Sequence, residues 1–128
     1  MSIFIDETNT FDVLIYYKMN GNNIVVLEEN EKDSETLKVT FGYPNFASSQ
    51  KILSASASFD SSGNPTLDVL KLRNSLMIEL IKSWDAKDKD GKITQPTPEM
   101  LGRVNAAIIT AIINKMQDKL GELGFSIL

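Results

Sequence analysis

The sequence predicts an α+β domain: an N-terminal antiparallel β-hairpin, widened to a three-stranded sheet, followed by two long α-helices. Three observations carry that expectation. β-branched and aromatic residues crowd residues 11–44, an Asn-Gly pair separates the first two apolar runs, and beyond residue 65 apolar residues recur every three or four positions. A chain of 128 residues fits one domain. Its expected parts are a β-rich portion (1–46), a Ser/Ala-rich connector (47–64), a helical hairpin (65–121) and a short tail (122–128).

The first strand is expected in FDVLIYYK (11–18) and the second in NIVVLEE (23–29), joined through MNGN. A third follows in TLKVTFGYP (36–44), where Leu37, Val39 and Phe41 alternate with Thr36, Lys38 and Thr40 until Pro44 ends the ladder. Two strands alone are marginal in water, so the third is needed for a usable sheet. Tyr16 and Tyr17 are adjacent, so they face opposite sides and at least one is core. The connector ASSQKILSASASFDSSGN fits either a short helix around Ile52 and Leu53 or a strand with Ala55, Ala57 and Phe59 turned inward.

A first helix is predicted to start at Asn64-Pro65 or Thr66 and to run to about Trp84. Val69, Leu70, Leu76, Met77, Leu80, Ile81 and Trp84 would share one face, opposite Asp68, Lys71, Ser75, Glu79 and Lys82. The second is predicted from Thr97 to about Leu120, with Pro98 at its first position and Gly121 as its C-cap. Its stripe of Leu101, Val104, Ile108, Ile109, Ile112, Ile113, Met116 and Leu120 covers close to half the circumference. That width predicts burial against two neighbours or against another chain. The FSIL tail could add an edge strand beside Ile3-Phe4-Ile5.

Composition narrows the chemistry. With neither cysteine nor histidine, the chain offers no disulfide, no sulfur-based zinc site and no imidazole base. Its net charge of −4 and the absence of any Lys/Arg run argue against a nucleic-acid partner. The serines have no histidine to activate them, and the glycines do not form a phosphate loop. The expectation is a non-enzymatic protein without a cofactor. The N-terminal MSIFIDETNT lacks a basic region followed by a long apolar one, so no signal peptide is expected. No stretch has the apolar length of a membrane span, which makes the cytoplasm the expected location.

DKDGKIT, residues 88–94, resembles half of a calcium loop. With Gly91 at the sixth position, Asp88 and Asp90 fall at the third and fifth and Ile93 at the eighth. The first position is then Ala86, and the twelfth, which must be a bidentate glutamate, is Thr97. The expected structure is a solvated Asp-Gly turn between helices, with no metal. Two polar residues interrupt the helical stripes. Arg73 lies among Val69, Leu70, Leu76 and Met77, and Asn105 among Leu101, Ile108 and Ile109. Each either finds a local partner or marks a helix–helix or subunit contact where a polar group fixes register.

The order of segments resembles the small tail assembly chaperones of long-tailed bacteriophages. The resemblance spans residues 38–118. It lies in a strand and proline (KVTFGYPNF), a helix ending in tryptophan (LDVLKLRNSLMIELIKSWD), an acidic turn (DKDGK), a TQPTPEML helix start, and a second apolar helix. It implies a phage protein that coats the helical tape measure protein in the host cytoplasm, recruits tail tube subunits, and is absent from the finished virion. Arg73, Trp84, Asn105, Ile108, Ile109, Ile112, Ile113 and Met116 would then be the partner-binding residues. The alternative is a structural particle component, a tail or head–tail connector subunit, that self-associates into a ring in the virion.

Overall fold

The computed structural model describes residues 2–125. A four-stranded antiparallel sheet is covered on one face by helices, an α+β arrangement of two layers. Strand β1 (Thr10–Asn20) pairs with β2 (Asn23–Leu27) on one side and with β3 (Glu35–Gly42) on the other. The turn between β1 and β2 is Gly21-Asn22, and only the glycine has positive φ (+66°). Glycine at the first of two loop positions is the II′ hairpin solution, whose twist matches that of the flanking strands.

Period-two burial follows in both central strands. Phe11, Val13 and Ile15 of β1 and Leu37, Val39 and Phe41 of β3 point to the helices, while Asp12 and Lys38 point to solvent. Phe11 stacks on Phe41 with centroids 5.5 Å apart. Tyr17 joins the covered face, whereas Tyr16, on the outer face, lies 5.1 Å beneath the ammonium of Lys115. Because β2 pairs only from Tyr16 onward, the first half of β1 has an open edge, and there Lys115 donates a hydrogen bond to the Leu14 carbonyl.

The connector resolves into both of its alternatives in turn. Helix α1 (Phe46–Ser56) is opened by a reciprocal capping box between Asn45 and Ser48. Strands β4 (Ala57–Phe59) and β5 (Pro65–Leu67) then form a separate two-stranded ribbon. Contrary to expectation, Ala55, Ala57 and Phe59 are all exposed.

The first long helix is shorter than predicted at both ends. Asp68, not Asn64 or Thr66, caps α2 (Val69–Leu80) by accepting the Lys71 N–H. Ile81–Trp84 leaves the helix to become β6, the fourth strand, paired to β3 through Val39↔Trp84, Thr40↔Ser83 and Phe41↔Ile81. The apolar residues of IKSW continue the helical phase, but the open edge of β3 offers a ladder of backbone hydrogen bonds that outweighs it. The apolar face shifts accordingly: Leu72, Leu76, Met77 and Leu80 are buried, and Val69 and Leu70 are exposed.

The second helix is likewise divided. The short α3 (Pro98–Leu101) and α4 (Ala106–Glu122) are separated at Gly102–Asn105, and Gly121 lies inside α4, with Gly124 providing the positive φ beyond its end. Asn105 is therefore a cap accepting the Ala107 N–H, not a polar break in an apolar stripe. The isoleucine stripe is spent within the chain. Ile112 and Met116 are 0% exposed, and Ile108, Ile113 and Leu120 are also buried, packed with the inner sheet face and α2. Of the two expected covers, neighbouring elements or another chain, the structure supplies the first. β1, β2 and α2 of the same chain pack against the stripe, and the reading that calls for another chain is corrected.

At the carboxyl end Phe125 meets Tyr43 edge-on at 5.1 Å, and the remainder of the FSIL segment lies outside the described residues. Ile3-Phe4-Ile5 does not form a strand, and Ile3 and Phe4 are exposed.

Candidate functional site

Where β6 leaves β3, a groove opens. The last backbone exchange between them is at Lys38 and Asp85: the Asp85 N–H donates to the Lys38 carbonyl (3.1 Å) and the Asp85 carboxylate accepts the Lys38 N–H (2.8 Å). Beyond it the chain turns away at Ala86 and Lys87, leaving Glu35, Thr36 and Leu37 without a neighbouring strand on that side. The result is a cavity of about 850 Å³. One wall is sheet, from Tyr17, Ile24 and Glu35–Leu37. The other comprises Trp84–Lys87, Ile93 and the start of α4 at Val104, Asn105 and Ile108.

The floor is apolar and fixed. Leu37, Trp84 and Ile108 are buried, and Tyr17, Ile24, Ala86 and Val104 are half-buried around them. Trp84 is held by its indole N–H, which donates to the Thr94 hydroxyl (2.9 Å) and lies 3.1 Å from the Thr94 carbonyl. Thr94 in turn donates to the Ala86 carbonyl through both its hydroxyl and its N–H. One tryptophan thus ties the strand end to the returning loop, and an apolar wall is positioned by a closed set of hydrogen bonds. At the rim Ile93 is 58% exposed.

The polar side chains lining the groove are those of Tyr17, Glu35, Thr36, Asp85, Lys87 and Asn105. Burial first, then a hydrogen bond to Glu35 and the nearby charges of Glu35 and Asp85, raise the Tyr17 phenol above its ordinary range. The Tyr17 phenol therefore stays protonated at neutral pH. Asp85 is occupied by the Lys38 amide. What this arrangement can do chemically is shelter apolar surface beside a few orienting polar groups.

The sequence-predicted residues divide into three sets. Trp84, Asn105 and Ile108 come together along the groove. Ile112, Ile113 and Met116 lie in the interior and present nothing to a partner, and Ile109 is half-buried against the same core. Arg73 sits on the seam between α2 and α4, where its guanidinium donates to the Asn114 side-chain oxygen; its Nε is buried without a partner among the described residues. Arg73 therefore marks a helix–helix contact inside the chain.

Sequence reasoning missed Tyr17, Ile24, Leu37 and Ile93 as groove residues, because they converge only when β6 pairs with β3. The DKDGKIT segment is a tight turn after a strand, not between helices. The Asp88 carboxylate accepts the N–H groups of Asp90 and Lys92, and Gly91 takes φ +79°. The acid that would have served a metal serves its own loop. Among the described residues no group of three or more metal-ligating side chains gathers, and no helix is long and apolar enough to cross a membrane. Comparisons with family models, curated proteins and solved structures gave no match to this chain.

Proposed function

We propose that this protein is a non-enzymatic phage tail assembly chaperone, which shelters an apolar segment of the tape measure protein in the groove below Trp84 and recruits tail tube subunits in the host cytoplasm. The observation that carries the reading is the groove itself. It is a fixed apolar trough bounded by Leu37, Trp84, Val104 and Ile108, open at Ile93 and large enough for several side chains of one helix face. The segment order that resembles this family of chaperones supports the choice of client. With the isoleucine stripe enclosed, the groove replaces it as the client surface.

The test is co-expression of the chain with the tape measure protein, followed by affinity recovery and mass measurement. The expected result is a stable complex, reduced at least tenfold by Ile93→Glu, a rim substitution that leaves the floor intact. Equal recovery with wild type and I93E, or no recovery with either, would overturn the proposal. Detection of the chain inside purified virions would favour the ring-forming particle component in its place.

A further inference from the structure

The β4–β5 ribbon turns its apolar face outward. The register pairs Ala57 with Leu67, Ser58 with Thr66, and Phe59 with Pro65. Paired residues in an antiparallel ribbon lie on the same face, and neighbours along a strand alternate. Ala57, Phe59, Pro65 and Leu67 therefore form one apolar face, with Ser58 and Thr66 on the other. All four apolar residues are exposed, Phe59 at 72%, while Ser58 is half-buried. Val69 and Leu70, which begin α2 directly after the ribbon, are exposed at 66% and 70%. A two-stranded ribbon is marginal by itself, and this one presents its apolar side to solvent.

We infer that the ribbon face is a self-association surface, occupied by the same face of a second copy about a two-fold axis. Area and charge point to that occupant. The four residues of the ribbon face, with Val69 and Leu70 following directly in the chain, make an exposed apolar region on the scale of the largest patch of a typical monomer, about 300–600 Å². Two copies in isologous contact would remove roughly 1,000 Å², near the lower limit for a specific contact and suited to a reversible dimer. Within residues 57–67 the single charge is Asp60, and its carboxylate accepts the Ser62 and Asn64 N–H groups in its own turn. Asp68, just beyond, is likewise engaged in capping α2. The four apolar residues of the face carry no charge. Asp60 and Asp68 at its margins, though still anionic, are held in their own turn and cap, where solvent screening keeps their repulsion across a two-fold contact small. The inference rests on the ribbon alone and is independent of the groove.

Sedimentation velocity on the intact chain, from roughly 10 µM to 1 mM, tests it against an expected dimer dissociation constant on the order of 100 µM. Wild type should move reversibly from one-chain to two-chain mass across that range. The F59S/L67S variant should keep the one-chain mass throughout, with an unchanged thermal melt, and I93E should dimerise like wild type. Amide chemical shifts that change on dilution should cluster in residues 57–70. A one-chain mass at every concentration, or a dimer that survives in F59S/L67S, would overturn the inference. So would a monomeric wild type whose recovery with another protein falls in F59S/L67S, because the face would then belong to that partner.

Discussion

The isoleucine stripe of α4 and the ribbon of β4–β5 exchange the roles their sequences suggest. AAIITAIINKMQDKL looks like a surface in need of a partner, and its isoleucines are enclosed by the sheet and α2. ASASFDSSGNPTL offers a strand that would turn Ala55, Ala57 and Phe59 inward, yet Phe59 and Leu67 are exposed. Hydrophobicity in sequence measures the demand for cover, and the fold decides where cover is supplied. A long amphipathic helix can lie across a sheet and find cover along its whole length, whereas a three-residue strand projecting from the end of a helix pair has little to fold back upon.

That contrast can be broken by substitution, beginning with the largest expected effect. Ile112→Ala should lower unfolding free energy by about 3 kcal/mol in a denaturant titration, because it opens a cavity in a fully enclosed site. If α4 were stabilised chiefly by another chain, the loss would instead depend strongly on protein concentration. Phe59→Ser under the same conditions should change stability by no more than about 0.5 kcal/mol, as expected of an exposed position.

The groove sits between these extremes. Thr94→Val removes one acceptor of the Trp84 indole and one donor to the Ala86 carbonyl, and should cost about 1 kcal/mol. It should also increase hydrogen exchange in residues 86–94 relative to β1 and β3, which would sharpen the picture of a groove wall pinned by one side chain. The smallest effect is a pH slope. The folded phenol of Tyr17 ionises above its ordinary value of 10.0, so folding holds its proton more tightly than the unfolded chain does. Its contribution is complete below pH 10.0 and is lost as pH rises through the folded value. Tyr17→Phe should flatten the fall in stability above that pH, read from denaturant midpoints at closely spaced pH values. An identical slope in the variant would remove Tyr17 as its source.

What the sequence made legible was local. The β1–β2 turn carries its glycine at the required position, β1 and β3 alternate cleanly, and the capped α4 has an unbroken helical period. Gly102 and Asn105 were a signal for the helix break, with Asn105 followed by a good helix-forming Ala-Ala pair. They lay hidden in a pattern whose apolar spacing continued across them. Strand β6 carried no comparable mark. Ile81 and Trp84 satisfy a helical phase equally well, and only the vacant side of β3, remote in sequence, makes them a strand. The groove inherits that illegibility, since it exists because β6 stops pairing before β3 does. Arg73 was legible as a contact marker, but its partner Asn114, 41 positions away, was not.

The ammonium of Lys115 rests on the unpaired margin of β1, one charge set where a foreign strand would otherwise zip on. Docking there would strip that ion of water and break its bond to Leu14. Addition of another strand along this stretch of β1 is thereby disfavoured, and the hydrogen-bonding groups left open where β2 stops short are kept from serving as a template.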